Sequence, residues 1–208
     1  MRTNHWGNNA KSKVTKNLLR EVDDAIRTAA EAAIAGGAHR RYVGEYSARL
    51  AEQVASLVGG GHALLCCSAS AALEIALRGL GVGQGQRVLM AAYDYPGNAW
   101  AVERVGARPV LVDVQRDGWN LDTGSLLAAI ERCSDAKVLI ASHLHGQTQD
   151  TDALHAICQK NRLVLIEDCC QAIGARRPSS RLVGSMGDLA TLSFGGGKQL
   201  TAGRGGAL

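Results

Sequence analysis

The chain has 208 residues, 46% of them hydrophobic and only 4% aromatic, and its 23 Lys and Arg residues against 19 Asp and Glu residues give a formal net charge of +4. This is the composition of an ordinary globular protein, and a chain of this length can bury a complete core without disulfides or metal ions. The positive excess is small and scattered, which argues against a nucleic-acid partner.

The N-terminal part of the chain, residues 1–40, is predicted to form a helical segment ahead of the main domain. Residues 1–13 are polar and lack the apolar core of a signal peptide, and no apolar run reaches the roughly 18 residues of a membrane span. Neither export nor a membrane partner is therefore expected. Over residues 16–36, apolar side chains such as Val22 and Ile26 recur at helical spacing, and glycines then end the pattern.

The rest of the chain, residues 41–208, is predicted to form one α/β domain with a mainly parallel sheet, because apolar runs alternate with stretches of helical spacing. The apolar runs that we interpret as strands are residues 63–67, 87–91, 109–114, 138–142, 163–167 and 189–194. The helices are expected at residues 46–58, 69–80, 97–105, 122–133 and 151–161. The first five runs lack polar alternation, so we expect those strands to be buried on both faces. A glycine loop close to residue 208 looks like the approach to a further strand.

The cysteines indicate a reducing compartment. The six are Cys66, Cys67, Cys133, Cys158, Cys169 and Cys170, and their spacing fits neither a secreted disulfide framework nor a zinc site. We therefore expect free thiols in a cytoplasmic protein, no metal, and the two adjacent pairs as small apolar side chains on buried strands.

Ligands of open α/β sheets bind beyond the carboxyl ends of the strands, so the residues that follow each predicted strand are the candidates for a site. Small residues, Ser68, Ala69 and Ser70, follow the first strand and open a helix. Free backbone N–H groups at a helix start can bind a phosphate, although Ser68 as a plain N-cap is the commoner interpretation of such a segment by itself.

Two aromatic residues, Tyr93 and Tyr95, follow the second strand. One of them can provide a flat platform for a ring, although aromatic residues near strand ends are often core or rim residues instead.

Asp168 follows the fifth strand, which places a carboxylate at the mouth of a buried strand. An ionised carboxylate in that position needs a cationic partner. A helix N-cap or a structural ion pair is the alternative interpretation of Asp168.

The sixth strand leads through three glycines to Lys198. A lysine in a dry pocket has a lowered pKa and becomes nucleophilic. The segment is not a P-loop, because Gln199 stands where that motif needs Ser or Thr. The glycines of residues 79–85 also miss the dinucleotide-binding spacing and follow a helix instead of preceding one.

Together these strand ends match the parts of one cofactor, pyridoxal phosphate. The phosphate suits the helix start, the ring suits the aromatic residue, the pyridine nitrogen suits the Asp, and the aldehyde suits a Schiff base with the Lys. Four separate weak signals in strand order therefore favour one site.

From about Gly44 to Gly206 the chain also resembles the DegT/DnrJ/EryC1/StrS family, the sugar aminotransferases of aspartate-aminotransferase fold type I. The matching segments are Ser68–Leu73 for S-G-T-A-A-L, Val105–Asp113 for V-G-A-x-P-V-F-V-D, His143–Gln147 for H-L-Y-G-Q, Glu167–Ala175 for E-D-x-A-Q-A-x-G-A, and Ser193–Lys198 for S-F-x-x-x-K. The fold implied is the three-layer α/β/α large domain of that fold type.

The resemblance assigns roles to residues of this chain. It implies that Lys198 forms the Schiff base and acts as the catalytic residue, and that Asp168 pairs with the pyridine nitrogen. Gln171 would lie against the ring face or its hydroxyl, and Tyr95 would stack on the ring. The phosphate would be held by the backbone of Ala69 and by the hydroxyls of Ser70 and Ser193.

The implied activity is transfer of an amino group from glutamate or glutamine to a keto-sugar nucleotide or a related cyclic ketone, in a homodimer. Family chains are nearly twice as long and carry a small C-terminal domain, so this chain is expected to be a truncated large domain without it. Three positions depart from the family pattern: Ala69 replaces Gly, Ala91 replaces Pro, and Arg204 replaces Glu. His143 and His145 lie near the site, where structural or solvated imidazoles are the commoner outcome.

Two alternatives stay open. The chain can be a non-catalytic fragment or an interaction subunit that keeps the fold. A dehydratase of the same family is disfavoured, because those members carry His at the position of Lys198.

Overall fold

The computed structural model describes residues 8–41 and 43–208, with side chains from residue 22 onward except residue 42. The chain divides into two compact units, one that ends at Ala48 and one that spans Arg49–Leu208. The division of the chain between residues 40 and 41 stays a prediction.

The first unit contains helix α1, Asn8–Ala35, which begins earlier than the predicted helix. The helix ends where Gly37 takes the left-handed backbone conformation, with φ of 69°, and a short 3₁₀ turn follows at Ala38–Arg40. The side chains of Val22 and Ile26 are exposed by 54% and 60%. These two side chains of the predicted apolar face are therefore open to solvent in the single chain. Residues 1–7 of the predicted N-terminal segment lie outside the described residues.

The other elements follow one another in the order that the sequence predicts. They are α2 (Glu45–Leu57), β1 (Leu65–Cys66), α3 (Ala69–Gly79), β2 (Arg87–Ala91), α4 (Pro96–Arg104), β3 (Arg108–Val112), α5 (Thr123–Arg132), β4 (Val138–Ser142), α6 (Thr151–Asn161), β5 (Val164–Asp168), β6 (Leu189–Ser193) and β7 (Gly206–Ala207).

The strands form one seven-stranded sheet in the order β1-β7-β6-β5-β4-β2-β3. Strands β2 to β6 are parallel, and β7 runs antiparallel to both β6 and β1. The order reverses between β2 and β4, since β3 lies on one side of β2 and β4 on the other. Loops that leave the carboxyl ends of two such strands diverge to opposite faces and open a crevice between them.

The core lies on both faces of the central strands. On β2, Val88 and Met90 pack with α3 and α4, whereas Leu89 and Ala91 pack with α5 and α6. Successive side chains of a strand point to opposite faces, so an unbroken apolar run is what two covering helix layers require. The α/β class, the mainly parallel sheet and the three layers are therefore confirmed.

Two of the five strands predicted as fully buried are not. Strand β1 has only two residues, both half-buried, and β3 leaves Leu111 exposed by 58%. Both are edge strands, so one side of each has no neighbouring strand. The expected further strand near the end of the chain is present as β7.

The cysteines are all free thiols, as predicted. The burial expected for the adjacent pairs is correct for Cys169 and wrong for Cys67, which is exposed because it follows the short edge strand β1. Within the described part of the chain, no helix is both long enough and apolar enough to cross a membrane.

Candidate active site

A cavity of about 300 Å³ lies at the carboxyl edge of the sheet. Every site residue predicted from the sequence lines it: Ala69, Ser70, Tyr95, Asp168, Gln171, Ser193 and Lys198. The lining also includes Ser68, Asn98, Ser142, His143, Leu144 and Cys170. Residues that follow β1, β2, β4, β5 and β6 therefore meet at one place, as expected for parallel strands whose ends share an edge.

The start of α3 forms one wall of the cavity. The hydroxyl of Ser68 caps the helix by accepting a hydrogen bond from the N–H of Ala71 at 3.1 Å. The first N–H groups of a helix have no acceptor inside it, and the helix dipole places positive potential there. The N-cap interpretation of Ser68 is therefore correct, and phosphate binding by Ala69 and Ser70 stays a prediction.

Strand β7 passes directly beneath this helix start. A Cβ on Gly206 would collide with the backbone of Ser68 and Ala69 and would lie 2.8 Å from the carbonyl oxygen of Leu192. These neighbours are backbone atoms, which cannot move aside as a flexible side chain can. Only glycine at position 206 therefore allows β7 to pack this closely against the start of α3.

Asp168 ends β5 and is 5% exposed. Its Oδ1 accepts a hydrogen bond from the N–H of Cys170 at 3.0 Å, and its Oδ2 accepts one from Nδ2 of Asn98 at 2.7 Å. Among the side chains that the structure describes, no Lys, Arg or His forms an ion pair with it. The cationic partner that the sequence argument required is therefore not provided by the described residues.

Asn98 and Asp94 form a polar group beside Asp168 that the sequence analysis missed. Nδ2 of Asn98 lies 3.2 Å from Oδ1 of Asp94 and 3.1 Å from the hydroxyl of Ser142. Oδ1 of Asp94 also accepts the N–H of Tyr95 at 2.7 Å, while its buried Oδ2 has no hydrogen-bond partner. Burial raises the pKa of Asp94 to about 6, and the nearby charge of Asp168 adds to this increase. The available signal was a polar pair at i and i+4 directly after a buried strand.

Lys198 lies in the loop after β6, is half-buried and shares the cavity with Asp168. Its backbone N–H donates to the carbonyl oxygen of Gly195 at 3.3 Å. Burial raises the pKa of the Cys170 thiol far above its ordinary value, an effect strengthened by the Asp168 charge and partly opposed by the Lys198 charge. The thiol is therefore a poor nucleophile, and Lys198 is the one lysine among the described residues that line the cavity.

Tyr95 precedes α4 and is 51% exposed, with its ring at the rim of the cavity. A Cβ on Gly97 would overlap that ring, with ring atom Cδ1 at 2.9 Å. The Tyr95 ring can therefore occupy this position because residue 97 has no side chain. Gln171 is oriented by the backbone N–H of His145, which donates to its Oε1 at 2.9 Å.

The two histidines differ in environment. His143 is buried, its Nε2 lies 2.9 Å from Oε2 of Glu167, and its Nδ1 accepts the N–H of Gln149 at 3.0 Å. Both ring nitrogens of His143 are therefore engaged by other protein groups, as is typical of a structural imidazole. His145 is exposed and lies in an aromatic group with Tyr93 and Trp119, whose rings stack with centroids 4.6 Å apart.

His143, Glu167 and Cys169 place their ligand atoms within 4.8 Å of one another. The carboxylate is already saturated, since Oε1 of Glu167 accepts from the N–H groups of Met186 and Gly187 and Oε2 accepts from Gly184 and His143. We therefore interpret the group as a hydrogen-bonded anchor and not as a metal site.

Comparisons with known proteins identify the family that the chain resembles. The family model that matches residues 20–208 is that of the DegT/DnrJ/EryC1/StrS aminotransferase family. The L-glutamine:2-deoxy-scyllo-inosose aminotransferase of Streptoalloteichus tenebrarius is 39% identical over 159 residues, which cover 76% of this chain and 37% of that relative. The UDP-N-acetyl-3-dehydro-alpha-D-glucosamine 3-aminotransferase of Acidithiobacillus ferrooxidans is 39% identical over 160 residues, which cover 77% of this chain and 42% of that relative.

Among solved structures, the PLP form of a Streptococcus pneumoniae protein described as a sugar aminotransferase, Spr1654, is 30% identical with a TM-score of 0.75. The match covers 79% of this chain and 45% of that chain. The chain thus spans less than half of the length of each of these three proteins.

Proposed function

The chain belongs to the DegT/DnrJ/EryC1/StrS aminotransferase family, and from this premise we propose that it is a pyridoxal-phosphate-dependent aminotransferase whose catalytic residue is Lys198. One observation carries the proposal. A half-buried lysine and a buried carboxylate without a cationic partner among the described side chains line the same cavity.

The cavity residues fit this cofactor. The carboxylate of Asp168 suits a protonated pyridine nitrogen, because an ionised group at 5% exposure is stabilised by a cation. The N–H groups at the start of α3 suit a phosphate, and Ser70 and Ser193 line the same cavity. The half-exposed ring of Tyr95 suits one face of the cofactor ring.

The protein residues would then have separate tasks. Asp168 holds the proton on the ring nitrogen, Gln171 lies against the ring face or its hydroxyl, and Tyr95 covers the ring. Bound there, pyridoxal phosphate supplies an aldehyde that condenses with amines and a ring that accepts electrons from the adjoining carbon. Nζ of Lys198 would take the proton from the α-carbon of the amino donor and hold it for transfer to the former aldehyde carbon.

The proposed reaction moves an amino group from glutamate or glutamine to a keto-sugar nucleotide or a related cyclic ketone. Support comes from the names of the relatives, one a glutamine-dependent aminotransferase of an inosose and the other an aminotransferase of a UDP-linked dehydro sugar. We place the reaction in a cytoplasmic homodimer, the assembly that the resemblance implies.

Borohydride trapping tests the proposal. The chain is incubated with pyridoxal phosphate, reduced, digested and analysed by mass spectrometry, and the added mass is expected on Lys198. Lys198→Ala should abolish the labelling, whereas Lys160→Ala, which removes an exposed lysine at the end of α6, should leave it unchanged. Labelling of another lysine in the wild-type chain contradicts the assignment. Absence of any cofactor absorbance supports the non-catalytic alternative.

A further inference from the structure

Asn98 connects two elements of the site that are far apart in the sequence. It lies in the first turn of α4 after β2, is 4% exposed and lines the cavity. Its Nδ2 is 2.7 Å from Oδ2 of Asp168 at the end of β5. Strand β4 lies between β2 and β5 in the sheet, so Asn98 reaches across the end of one strand to hold the carboxylate of the next.

The surroundings fix the orientation of the Asn98 amide. Its Nδ2 faces acceptor atoms of three residues: a carboxylate oxygen of Asp94, a carboxylate oxygen of Asp168 and the hydroxyl oxygen of Ser142. A flipped amide would place its carbonyl oxygen against two carboxylates. The NH₂ group must therefore point at Asp168.

Asp168 is consequently held at both oxygens, since Oδ1 accepts the N–H of Cys170 and Oδ2 accepts Nδ2 of Asn98. Two anchors stop the carboxylate from rotating and leave its remaining lone pairs for a group inside the cavity. Oδ1 of Asp94 also accepts a hydrogen bond from Nδ2 of Asn98. This contact helps to hold the Asn98 side chain and adds a second negative charge near the same nitrogen. Both effects favour a cationic N–H in the cavity over a neutral ring atom.

We propose that Asn98, held by Asp94, is a positioning residue that makes the site selective for a protonated ring nitrogen by fixing the carboxylate of Asp168. This proposal rests on the proposed function and deepens it, because it assigns part of the cofactor recognition to a residue that acts through Asp168. Asn98 is therefore expected to affect ligands with a ring nitrogen more than ligands without one.

The experiment compares two probes, pyridoxal phosphate and its carbocyclic analogue with CH in place of the ring nitrogen. Equilibrium binding of each probe is measured by absorbance titration for the wild-type chain, Asn98→Ala and Asn98→Asp. Asn161→Ala serves as the control, because that asparagine donates to the carbonyl oxygen of Ile157 at the opposite end of the sheet. Circular dichroism of each apoprotein confirms folding.

Asn98→Ala should weaken binding of pyridoxal phosphate about tenfold, as expected for loss of a hydrogen bond to a charged group, and should change binding of the analogue less than about twofold. Asn98→Asp removes the donor and sets a third carboxylate against Asp168. Because this carboxylate repels Asp168 and turns it out of position, the variant should weaken pyridoxal phosphate binding despite the added negative charge. Asn161→Ala should leave both affinities within about twofold of the wild type.

Equal weakening of both probes, or no weakening of either, overturns the positioning role. If Asn98→Ala does not fold, Asn98→Ser gives the same comparison with a shorter donor. A wild-type chain that binds neither probe contradicts the proposed function itself, and that outcome is distinct from failure of the Asn98 proposal.

Discussion

The buried charge of Asp94 destabilises the fold at neutral pH. Burial raises its pKa to about 6 from an ordinary value of 3.8, and its Oδ2 has no partner. The folded state binds the proton more tightly than the unfolded state, so the free energy of unfolding falls as the pH rises from about 4 through 6. An asparagine keeps the oxygen that accepts from Tyr95 and removes the charge.

Asp94→Asn is therefore expected to stabilise the apoprotein by about 1 kcal/mol at pH 8, a value reduced from the full shift because the residue is partly exposed. The gain should shrink toward zero near pH 4. Urea denaturation at pH 4, 6 and 8 measures it, with Asp135→Asn as a control at an exposed aspartate. A variant less stable than the wild type at pH 8 would contradict this account.

Gly97 determines where the ring of Tyr95 can lie. Its φ is not positive and alanine is favoured in helices, so Gly97→Ala is expected to change the free energy of unfolding by less than about 1 kcal/mol. The new Cβ must push the Tyr95 ring aside, and the ring can move because it is half-exposed. We expect weaker binding of pyridoxal phosphate and a changed near-ultraviolet circular dichroism spectrum.

The control for this change is Gly79→Ala in α3, where a Cβ meets nothing within 4 Å. It should change neither the affinity nor the spectrum. If Gly97→Ala binds the cofactor as tightly as Gly79→Ala does, the ring of Tyr95 has no part in binding.

At the scale of elements, Glu167 ties the loop before β6 to β5. Three backbone N–H groups, from Gly184, Met186 and Gly187, donate to this fully buried carboxylate. Burial alone would raise the pKa of Glu167, but the hydrogen bonds from His143 and the backbone lower it below the ordinary value of 4.5. The loop is thus held by a charge that has no solvent contact.

Glu167→Gln places an NH₂ group against N–H donors and is expected to cost about 2–4 kcal/mol of unfolding free energy at pH 7. For a carboxylate with a depressed pKa, the stabilisation is present above pH 4.5 and is lost as the pH falls further. The difference between wild type and variant should therefore shrink below pH 4.5. Denaturation at pH 7, 5 and 4 measures it, and the exposed Glu103→Gln on α4 should show no such trend.

At the scale of the whole molecule, the features that follow from the shared edge of the parallel strands could be predicted from the sequence. The features that depend on which strands are neighbours could not. Asp168 and Lys198 could be placed in one cavity because the ends of all parallel strands meet at one edge, whichever strands are neighbours. The role of Asn98 depends on β2, β4 and β5 lying side by side, which the local pattern does not encode. The exposure of Leu111 was missed for the same reason, since an apolar run looks alike in a central strand and in an edge strand.

Exposed apolar side chains on α1 predict that the chain forms a dimer. Ile26 and Ile34 of α1 are exposed by 60% and 61%, and Val22 on the neighbouring turn by 54%. Exposed apolar side chains grouped on one helix face favour burial against a partner, and in a two-fold dimer each side chain counts twice. We expect the wild-type chain to sediment as a dimer and Ile26→Glu to shift it toward monomer by at least about tenfold in dissociation constant, since burying one isoleucine contributes about 1.5–3 kcal/mol.

The matched control is Thr28→Glu, which introduces the same charge at an exposed position two residues on, where the helix has turned by about 200°. It should leave the dimer intact, because Thr28 faces away from the apolar stripe and its hydroxyl bonds the carbonyl oxygen of Asp24 within the helix. Sedimentation equilibrium distinguishes the two variants. Equal masses for both, or a monomeric wild-type chain, would mean that the apolar face of α1 does not hold two copies together.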